Sequence, residues 1–216
     1  EGRGRCGTRC YRADYESARN VDESGSFWMV TNKEVMLANL KKYKVILGSN
    51  SPRRKDLLAG LDIDFTVKTI SGIDESYPDA LIAEDIPLYI ARKKAEAYVE
   101  FLREDELLIT ADTIVWTFDS VLGKPVDRED ALKMLRRLSD HVHEVITGVY
   151  IVTKEKKVAF SVSSAVCFSA IDEESLEYYV DKYRPYDKAG AYGIQEWIGY
   201  VGVEAINGSF YNVMGL

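Results

Sequence analysis

The chain has 216 residues, a length that favours one domain or two closely packed lobes over several independent globular units. Hydrophobic residues make up 46% and aromatic residues 11% of the sequence, which excludes a wholly disordered chain. Lys and Arg total 28 against 35 Asp and Glu, a net charge of −7 that argues against both a broad nucleic-acid-binding surface and a polybasic membrane anchor. A polyanionic ligand would therefore have to meet locally clustered cations or a metal ion.

The cysteine content favours a reducing compartment. Three cysteines, Cys6, Cys10 and Cys167, provide neither a disulfide framework nor a paired zinc-ligand pattern. No apolar stretch approaches the roughly 20 residues of a membrane span, and the N-terminus lacks the basic-then-apolar layout of a secretory signal. The sequence therefore predicts a soluble, cytoplasmic protein with no membrane partner.

Residues 1–35 differ in composition from the rest of the chain. They combine scattered Arg, Gly and acidic residues and show no helical or strand period that could bury a face. We expect a flexible N-terminal extension over residues 1–35, followed by one domain over residues 36–216.

The first half of that domain alternates predicted strands and helices. Ser51 is a typical N-cap, Pro52 a typical first helical residue, and Gly60 closes the same helix. Asp85 can cap a second helix with Pro87 in its first turn, because apolar residues follow at helical spacing. In chain order we predict a strand over 44–47, a helix over 53–59, a strand over 65–68, a helix over 85–102, a strand over 107–111 that ends at Asp112, an extended stretch over 114–117 and a helix over 127–138.

The second half of the domain is richer in strands. Two long β-rich segments, 142–153 and 158–170, flank a charged turn and predict an antiparallel hairpin. After it we predict a helix over 173–182, a segment of small residues over 187–195, a strand over 197–206 and a hairpin-type Asn-Gly turn at 207–208. Helices interleaved with strands, plus one long hairpin, predict an α/β domain around a mixed sheet.

The loop before the first helix is a candidate anion-binding element. A helix N-terminus offers unpaired backbone N–H groups and the positive end of the helix dipole. Arg53 and Arg54 stand in the first turn, where cations are disfavoured by roughly 0.3–1 kcal/mol each, and a bound phosphate would reverse that cost. The alternative is a helix capped by Ser51 and carrying two solvated arginines.

Two carboxylates are the candidate catalytic groups. Asp112 follows a buried apolar strand, at the edge where open α/β sheets place ligand-binding and catalytic residues, and could take a proton from water or hold a divalent metal. The alternative is an Asp that bonds its own turn. Glu75 alone is typical of a solvated loop residue, and Lys124, between Gly123 and Pro125, is a lysine on a stiff turn.

Other candidates depend on geometry that the sequence leaves open. Lys93 and Lys94 are adjacent on the second predicted helix, where neighbouring side chains point about 100° apart, so only one of them can face a site. His141 and His143 could share one face of a strand, but two ligands without a third do not make a convincing zinc site.

In combination, the carboxylates and cations suit phosphoryl chemistry with a divalent metal ion, in which the protein positions the reactants and stabilises charge on phosphate oxygens. The set consists of Glu75, Asp112, Arg54, Lys94 and Lys124.

A series of short motifs resembles those of the Maf family of nucleoside triphosphate pyrophosphatases, in the family's order. The resemblance covers about residues 44–216. The motifs are SNSPRR at 49–54, LL at 57–58, IDE at 73–75, ARKKA at 91–95, ADT at 111–113, GKP at 123–125, TGV at 147–149, DKAGAYGIQ at 187–195 and NVMGL at 212–216.

The resemblance implies a metal-dependent hydrolase, using Mg²⁺ or Mn²⁺, that splits a nucleoside triphosphate between the α and β phosphates. It also implies a two-lobed mixed-sheet architecture similar to the ITPase-like (Maf/Ham) enzymes, with the substrate in the cleft between the lobes. Carried over by position, Asp112 is the proton acceptor and a metal ligand, and Glu75 is the second metal ligand. The implied phosphate-binding set is Ser51, Arg54, Lys94 and Lys124.

The resemblance also implies a base preference. Family members that prefer dTTP and UTP show an Arg, a Thr and a Gln that match Arg53, Thr113 and Gln195, whereas relatives that favour 7-methyl-GTP differ at these places. This chain is therefore similar to the pyrimidine type, with modified pyrimidine nucleotides as further candidate substrates. Three departures are residues 1–35, which have no counterpart, Asp140 in place of a usual glycine, and the final helix that relatives carry beyond the position of Leu216.

A rival hypothesis is a nucleotide-binding regulator of septum formation with little catalysis. A pure binder has no need for a general base, so Asp112 together with Glu75 favours the enzyme. By family analogy the resemblance is compatible with a homodimer.

Overall fold

The computed structural model describes residues 37–216, so the predicted extension over residues 1–35 lies outside the described residues. Residues 43–216 form one compact unit. The preceding unit ends at Lys42, and its described residues include a short 3-10 helix, Ala38–Lys42.

Within residues 43–216 the chain forms seven strands and six α-helices. The strands are β1 (Lys44–Leu47), β2 (Phe65–Val67), β3 (Glu106–Thr117), β4 (Ser120–Leu122), β5 (Val142–Val152), β6 (Lys157–Phe168) and β7 (Val203–Asn207). The helices are α1 (Pro52–Ala59), α2 (Asp85–Val99), α3 (Arg128–Leu138), α4 (Glu173–Tyr183), α5 (Trp197–Gly202) and α6 (Phe210–Met214). No helix within residues 37–216 is long and apolar enough to cross a bilayer.

All seven strands belong to one sheet in the order β2-β1-β3-β5-β6-β7, with β4 paired to β3 outside this path. β1 pairs in parallel with β2 and β3, and every other pairing is antiparallel. The parallel half follows from the β1-α1-β2 crossover, and the antiparallel half from the long β5–β6 hairpin. This architecture confirms the predicted α/β class with a mixed sheet.

β3 is longer than predicted. We expected a strand that ends at Asp112, but β3 continues through it to Thr117, with Asp112 opposite Gly148 of β5. Along its other edge, β3 pairs with β1 up to Ile109 and with β4 from Val115 onward. Between these two pairings the edge of the sheet is open, because β1 ends at Leu47 and β4 pairs with β3 only from Val115. Asp112 therefore lies beside a gap in the sheet and not at the end of a strand.

Helix caps position the elements around this gap. Ser51 caps α1 by accepting a hydrogen bond from the Arg54 N–H at 3.5 Å, as predicted. Asp127, which was predicted to be the first residue of α3, is instead its N-cap and accepts a hydrogen bond from the Asp130 N–H at 2.9 Å. α2 begins at Asp85 itself, so the prediction that Asp85 caps it is wrong; Glu84 precedes the helix without a side-chain cap bond.

The region after residue 196 differs from its prediction. The expected strand over 197–206 is split into α5 and β7, and the Asn-Gly turn leads into α6, where Ser209 is the N-cap. A Cβ at Gly199 would lie 1.8 Å from the Ile194 carbonyl oxygen, so the backbone of α5 packs too closely there for any residue but glycine. The i,i+4 pair Ile198 and Gly202 is buried, a helical spacing that the β-rich composition of this segment obscured.

Hydrophobic clusters fill the interior; a small one joins Ile86, Ile90, Ile114 and Ile146, and two others join the helices to the sheet. One joins α3, α4 and α5 to β3, β5 and β6, with Leu132, Leu135, Phe168 and Tyr179 among its members. The other packs α2 on β1, β3 and β5 through Ala91 and other small or apolar residues. Both clusters lie within the single compact unit of residues 43–216, so the division into two lobes stays a prediction.

Candidate active site

A cleft of about 670 Å³ lies beside the gap in the sheet. Its walls come from the β1–α1 loop, the loop before α2, the middle of β3, the segment before α5 and the last residues of α6. A cleft of this size suits a nucleotide-sized ligand. The structure brings all nine predicted site residues to it: Ser51, Arg53, Arg54, Glu75, Lys94, Asp112, Thr113, Lys124 and Gln195.

Lys94 links the two candidate carboxylates. From α2 its Nζ lies 2.7 Å from Asp112 Oδ1 and 3.1 Å from Glu75 Oε1. The Lys94 and Asp112 side chains are only 13% and 14% exposed, whereas Glu75 is 55% exposed at the mouth of the cleft. The neighbouring Lys93 instead bonds Asp74 Oδ2 at 3.0 Å and so holds the loop that carries Glu75. Only one of the two adjacent lysines faces the cleft, as the helical geometry predicted.

Burial raises the pKa of the Asp112 carboxyl above its usual range. The charges of Lys94 and Arg54 oppose this effect, and the negative charge of Glu75 adds to it. A carboxylate whose pKa is raised is a better proton acceptor than an exposed one, and the adjacent ammonium group favours its ionised form.

Arg54 is anchored more firmly than a solvated arginine would be. Its Nε donates to the Gly215 carbonyl at 2.8 Å, its Nη1 to the Ala111 carbonyl at 2.8 Å and its Nη2 to Thr113 Oγ1 at 3.0 Å. The Ala111 carbonyl faces the open edge of β3, so this guanidinium replaces the missing neighbouring strand. Desolvation lowers the pKa of Arg54, and the nearby Asp112 charge opposes that change. The alternative of two solvated arginines is therefore wrong for Arg54.

The N-terminus of α1 forms the end of the cleft that is suited to bind an anion. Residues 48–54 line it, and Ser49 Oγ accepts a hydrogen bond from the Ser51 N–H at 3.2 Å. Gly48 lies so close to β3 that a Cβ there would be 2.9 Å from Thr110 Cγ2. This close approach carries the loop and its N–H groups toward Asp112 on the neighbouring strand.

A second group of residues lies at the other wall. Arg53 Nη1 donates to Asp187 Oδ2 at 2.8 Å, and Lys124 is exposed on the cleft lining. The Gln195 side-chain oxygen is buried and has no hydrogen-bond partner among the described residues. Thr113 is less available, because its hydroxyl bonds both Arg54 and Thr147 Oγ1 at 3.0 Å.

Sequence reasoning missed three charged residues at this wall: Asp187, Lys188 and Glu196. Lys188 is only 8% exposed, lines the cleft, and forms ion pairs with Asp187 and Glu196 at 2.7 Å and 3.0 Å. An Asp-Lys pair at the head of a segment of small residues was a usable signal, because charges in such a segment need partners when it packs.

The side chains of the cleft fit a divalent metal ion that enters together with a phosphate-containing ligand. Residues 37–216 contain no cluster of three or more His, Cys, Asp or Glu side chains placed to hold a metal, so a cage built from protein alone is not formed there. Mg²⁺ typically takes one or two carboxylates and completes its shell with phosphates and water, and Glu75 and Asp112 supply such a pair. The histidines serve elsewhere: His143 is buried with its Nε2 2.7 Å from the Tyr192 hydroxyl, and His141 Nδ1 contacts the Ser139 carbonyl.

Comparison with known proteins gives consistent matches. A family model described as Maf-like protein matches residues 44–216. A protein of Parabacteroides distasonis named dTTP/UTP pyrophosphatase is 71% identical over 181 residues, which cover 84% of this chain and 94% of that protein. A protein of Bacteroides fragilis with the same name is 59% identical with the same coverage of both chains.

Solved structures match more distantly. A dITP/XTP pyrophosphatase from Mycobacterium abscessus has a TM-score of 0.39 and 16% identity, over 59% of this chain and 75% of that chain. The Ham1 protein of Staphylococcus aureus has a TM-score of 0.39 and 17% identity, over 58% of this chain and 71% of that chain.

The link between Lys94 and Asp112 can be tested by titration. Because Lys94 lowers the pKa of Asp112, Lys94→Met should move that pKa further above its usual range. The carboxyl ¹³C shift of Asp112, followed by NMR against pH, measures the change. Lys44→Met is the control and should leave the Asp112 midpoint in place, since Lys44 pairs with Asp105 outside the cleft. A midpoint that stays or falls in Lys94→Met would contradict the assignment.

Proposed function

The chain belongs to the Maf family, and on that premise we propose that it is a nucleoside triphosphate pyrophosphatase that hydrolyses dTTP and UTP to the monophosphate and pyrophosphate. Relatives named dTTP/UTP pyrophosphatase, with identities of 71% and 59%, support this substrate class. The observation that carries the proposal is the contact of Asp112 with Lys94 beside the start of α1, since it joins a desolvated base to an anion-binding loop.

In the proposed reaction Asp112 accepts a proton from the attacking water. The water oxygen bonds to the α-phosphorus, the bond from that phosphorus to the bridging oxygen of the β-phosphate breaks, and pyrophosphate leaves with the bridging oxygen. Burial makes the carboxylate a better base, while Lys94 keeps it ionised before the reaction. Its place in the cleft, away from bulk water, favours a single bound water as its partner.

The cations around Asp112 are proposed to bind the triphosphate. Lys94 and Lys124 offer ammonium groups, and Ser51 stands at the N-terminus of α1 with the free N–H groups of the first turn. Arg54 has used three of its five donors on protein atoms, so its main contribution is fixed positive charge close to the reacting phosphate. Preorganised charge of this kind stabilises the transition state without reorganisation during the reaction.

Glu75 and Asp112 are the residues proposed to hold Mg²⁺ or Mn²⁺. When bound, the metal would neutralise charge on the phosphate oxygens and on the leaving pyrophosphate. The exposed position of Glu75 at the mouth of the cleft leaves room for an ion that enters together with the nucleotide.

Base choice is proposed to reside at the opposite wall, in Arg53, Thr113 and Gln195. Gln195 carries the argument, because its buried oxygen has no protein partner and its amide offers both an acceptor and donors. The imide N–H and carbonyls of uracil or thymine match that pattern. Thr113 acts through its bonds to Arg54 and Thr147. The rival regulator hypothesis needs no proton acceptor, so the role proposed for Asp112 favours the enzyme; the homodimer and the cytoplasmic location stay predictions.

Replacing Asp112 by Asn tests the base. The side chains are nearly isosteric, so the fold should persist, while kcat/KM for dTTP should fall by about 10²–10⁴ because the proton acceptor is lost. Asp105→Asn is the matched control: it lies just before β3, is exposed and pairs with Lys44 outside the cleft, so it should retain parental activity. Near-normal pyrophosphate release by Asp112→Asn would remove it from the role of base.

Replacing Gln195 by Ala tests base reading. The parent should hydrolyse dTTP and UTP well ahead of 7-methyl-GTP, dATP and dGTP, because a site matched to one base edge rejects ligands that leave its polar groups unpaired. In the variant the gap should narrow, mainly through lower kcat/KM for dTTP and UTP. The measurement is kcat/KM for all five nucleotides on both proteins. A parental preference for 7-methyl-GTP, or an unchanged ranking in the variant, would refute the role of Gln195.

A further inference from the structure

Five side chains form a continuous hydrogen-bonded chain along one wall of the cleft, here named the Arg53–Tyr179 network. Its members are Arg53, Asp187, Lys188, Glu196 and Tyr179. Arg53 Nη1 bonds Asp187 Oδ2 at 2.8 Å, Lys188 Nζ bonds Asp187 Oδ1 at 2.7 Å and Glu196 Oε1 at 3.0 Å, and the Tyr179 hydroxyl donates to Glu196 Oε2.

The network is anchored in the core at one end and open to the cleft at the other. Tyr179 is fully buried in the cluster around α3 and α4, and Lys188 is nearly so, whereas Asp187 and Arg53 reach the cleft. The charges alternate from Arg53 to Glu196, so each buried charge has an opposite partner and the set is neutral. Burial alone would raise the pKa of Asp187, but Lys188 and Arg53 outweigh it and hold the pKa at about 2.

Packing leaves the network little freedom. The Gly193 N–H donates to the Tyr179 hydroxyl at 3.0 Å, so that oxygen both accepts from the backbone and donates to Glu196. A Cβ at Gly193 would lie 3.0 Å from both Lys188 Cε and Glu196 Cδ, so these side chains lie directly against the backbone. Connected bonds in a desolvated setting reinforce one another, and the segment before α5 is thereby tied to α4.

The two strongest candidates for base reading are both connected to this network, Arg53 as its first member and Gln195 as the chain neighbour of its fourth member, Glu196. Arg53 is its outermost member, and Gln195 directly precedes Glu196 in the chain. The Glu196 N–H also bonds the Gly193 carbonyl at 2.9 Å, which closes the turn that presents Gln195 to the cleft. A shift of Glu196 therefore moves Gln195 through the backbone and Arg53 through Lys188 and Asp187.

We propose that the Arg53–Tyr179 network sets the spacing between Arg53 and Gln195 and thereby the selectivity for pyrimidine over purine nucleotides, with Glu196 and Tyr179 as positioning residues. The inference rests on the proposed function for its substrates. Neither residue needs to touch the nucleotide, because each acts by holding a neighbour: Tyr179 fixes the carboxylate of Glu196, and Glu196 fixes both Lys188 and the turn at Gln195.

Loss of one link has a definite consequence. In Glu196→Gln the negative charge that residue 196 places beside Lys188 is lost. Lys188 then keeps its ion pair with Asp187 alone among the described residues. It therefore competes with Arg53 for the Asp187 carboxylate. The Tyr179 hydroxyl bonds a neutral amide oxygen in place of a carboxylate, which weakens its hold on residue 196, while the Gly193 N–H bond to Tyr179 remains. Arg53 and Gln195 are then held less firmly, so the site discriminates less well between pyrimidine and purine bases.

The test compares the ratio of kcat/KM for dTTP to that for dGTP in the full chain and three variants. Glu196→Gln should lower this ratio by about tenfold and Tyr179→Phe by a smaller factor, chiefly through kcat/KM for dTTP. Tyr178→Phe is the matched control, since this neighbouring tyrosine is exposed and its hydroxyl bonds only Lys182 among the described residues; it should keep the parental ratio. Melting temperatures are recorded for every variant.

A merely structural role gives a different result. Glu196→Gln and Tyr179→Phe would then lower the melting temperature and reduce activity on both nucleotides by the same factor, and that unchanged ratio would overturn the proposal. Calorimetric Kd values for dTTP and dGTP in EDTA provide a second readout that needs no turnover. If the parent releases no pyrophosphate, the proposed function fails, while a parental Kd preference for dTTP that Glu196→Gln reduces would still support the network. Equal Kd ratios in parent and variant would reject it.

Discussion

The contact between Lys94 and Asp112 is the interaction on which the cleft depends. Both side chains are largely withdrawn from water, and either charge alone in that position would be costly. The 2.7 Å contact requires α2 to approach the sheet closely, and Gly148, opposite Asp112 on β5, makes this possible: a Cβ at Gly148 would lie 2.3 Å from the Leu88 backbone nitrogen. Because Gly148 has no side chain, α2 lies close enough to the sheet for the Lys94 ammonium group to reach the Asp112 carboxylate.

The gap in the sheet explains why such different elements meet at this point. β3 loses β1 as a neighbour before Asp112 and gains β4 only after it, so backbone groups between them need other partners. The Arg54 guanidinium takes the Ala111 carbonyl and joins it to Gly215 at the end of α6. A strand edge that would invite pairing with another chain is instead used to build a charged site. The residues proposed for catalysis and for base reading are therefore held by the same set of elements, β3 with the start of α1 on one side and the segment before α5 on the other.

Local chemistry made much of this predictable. The Ser51 cap, a helix that starts near Asp127 and the hairpin of β5 and β6 follow from short-range patterns, and the structure forms them. The extent of β3 did not follow, because Asp112 is a poor strand former that is retained by long-range pairing with Gly148 and by Lys94. α5 was missed because its residues favour strands, while contacts with distant elements made it helical. Motif resemblance predicted which residues belong to the candidate site. The links among Lys188, Glu196 and Tyr179 could not be predicted, because no local sequence pattern shows which buried polar groups pair.

We propose that water, assisted by Asp112, attacks the α-phosphorus of the nucleotide. Hydrolysis of dTTP in ¹⁸O-labelled water, with mass spectrometry of both products, tests this step, because the label stays on the phosphorus that the water attacks. Attack at the α-phosphorus places one ¹⁸O atom in dTMP and none in the pyrophosphate. Label in the pyrophosphate, or release of labelled inorganic phosphate with dTDP, would exclude it.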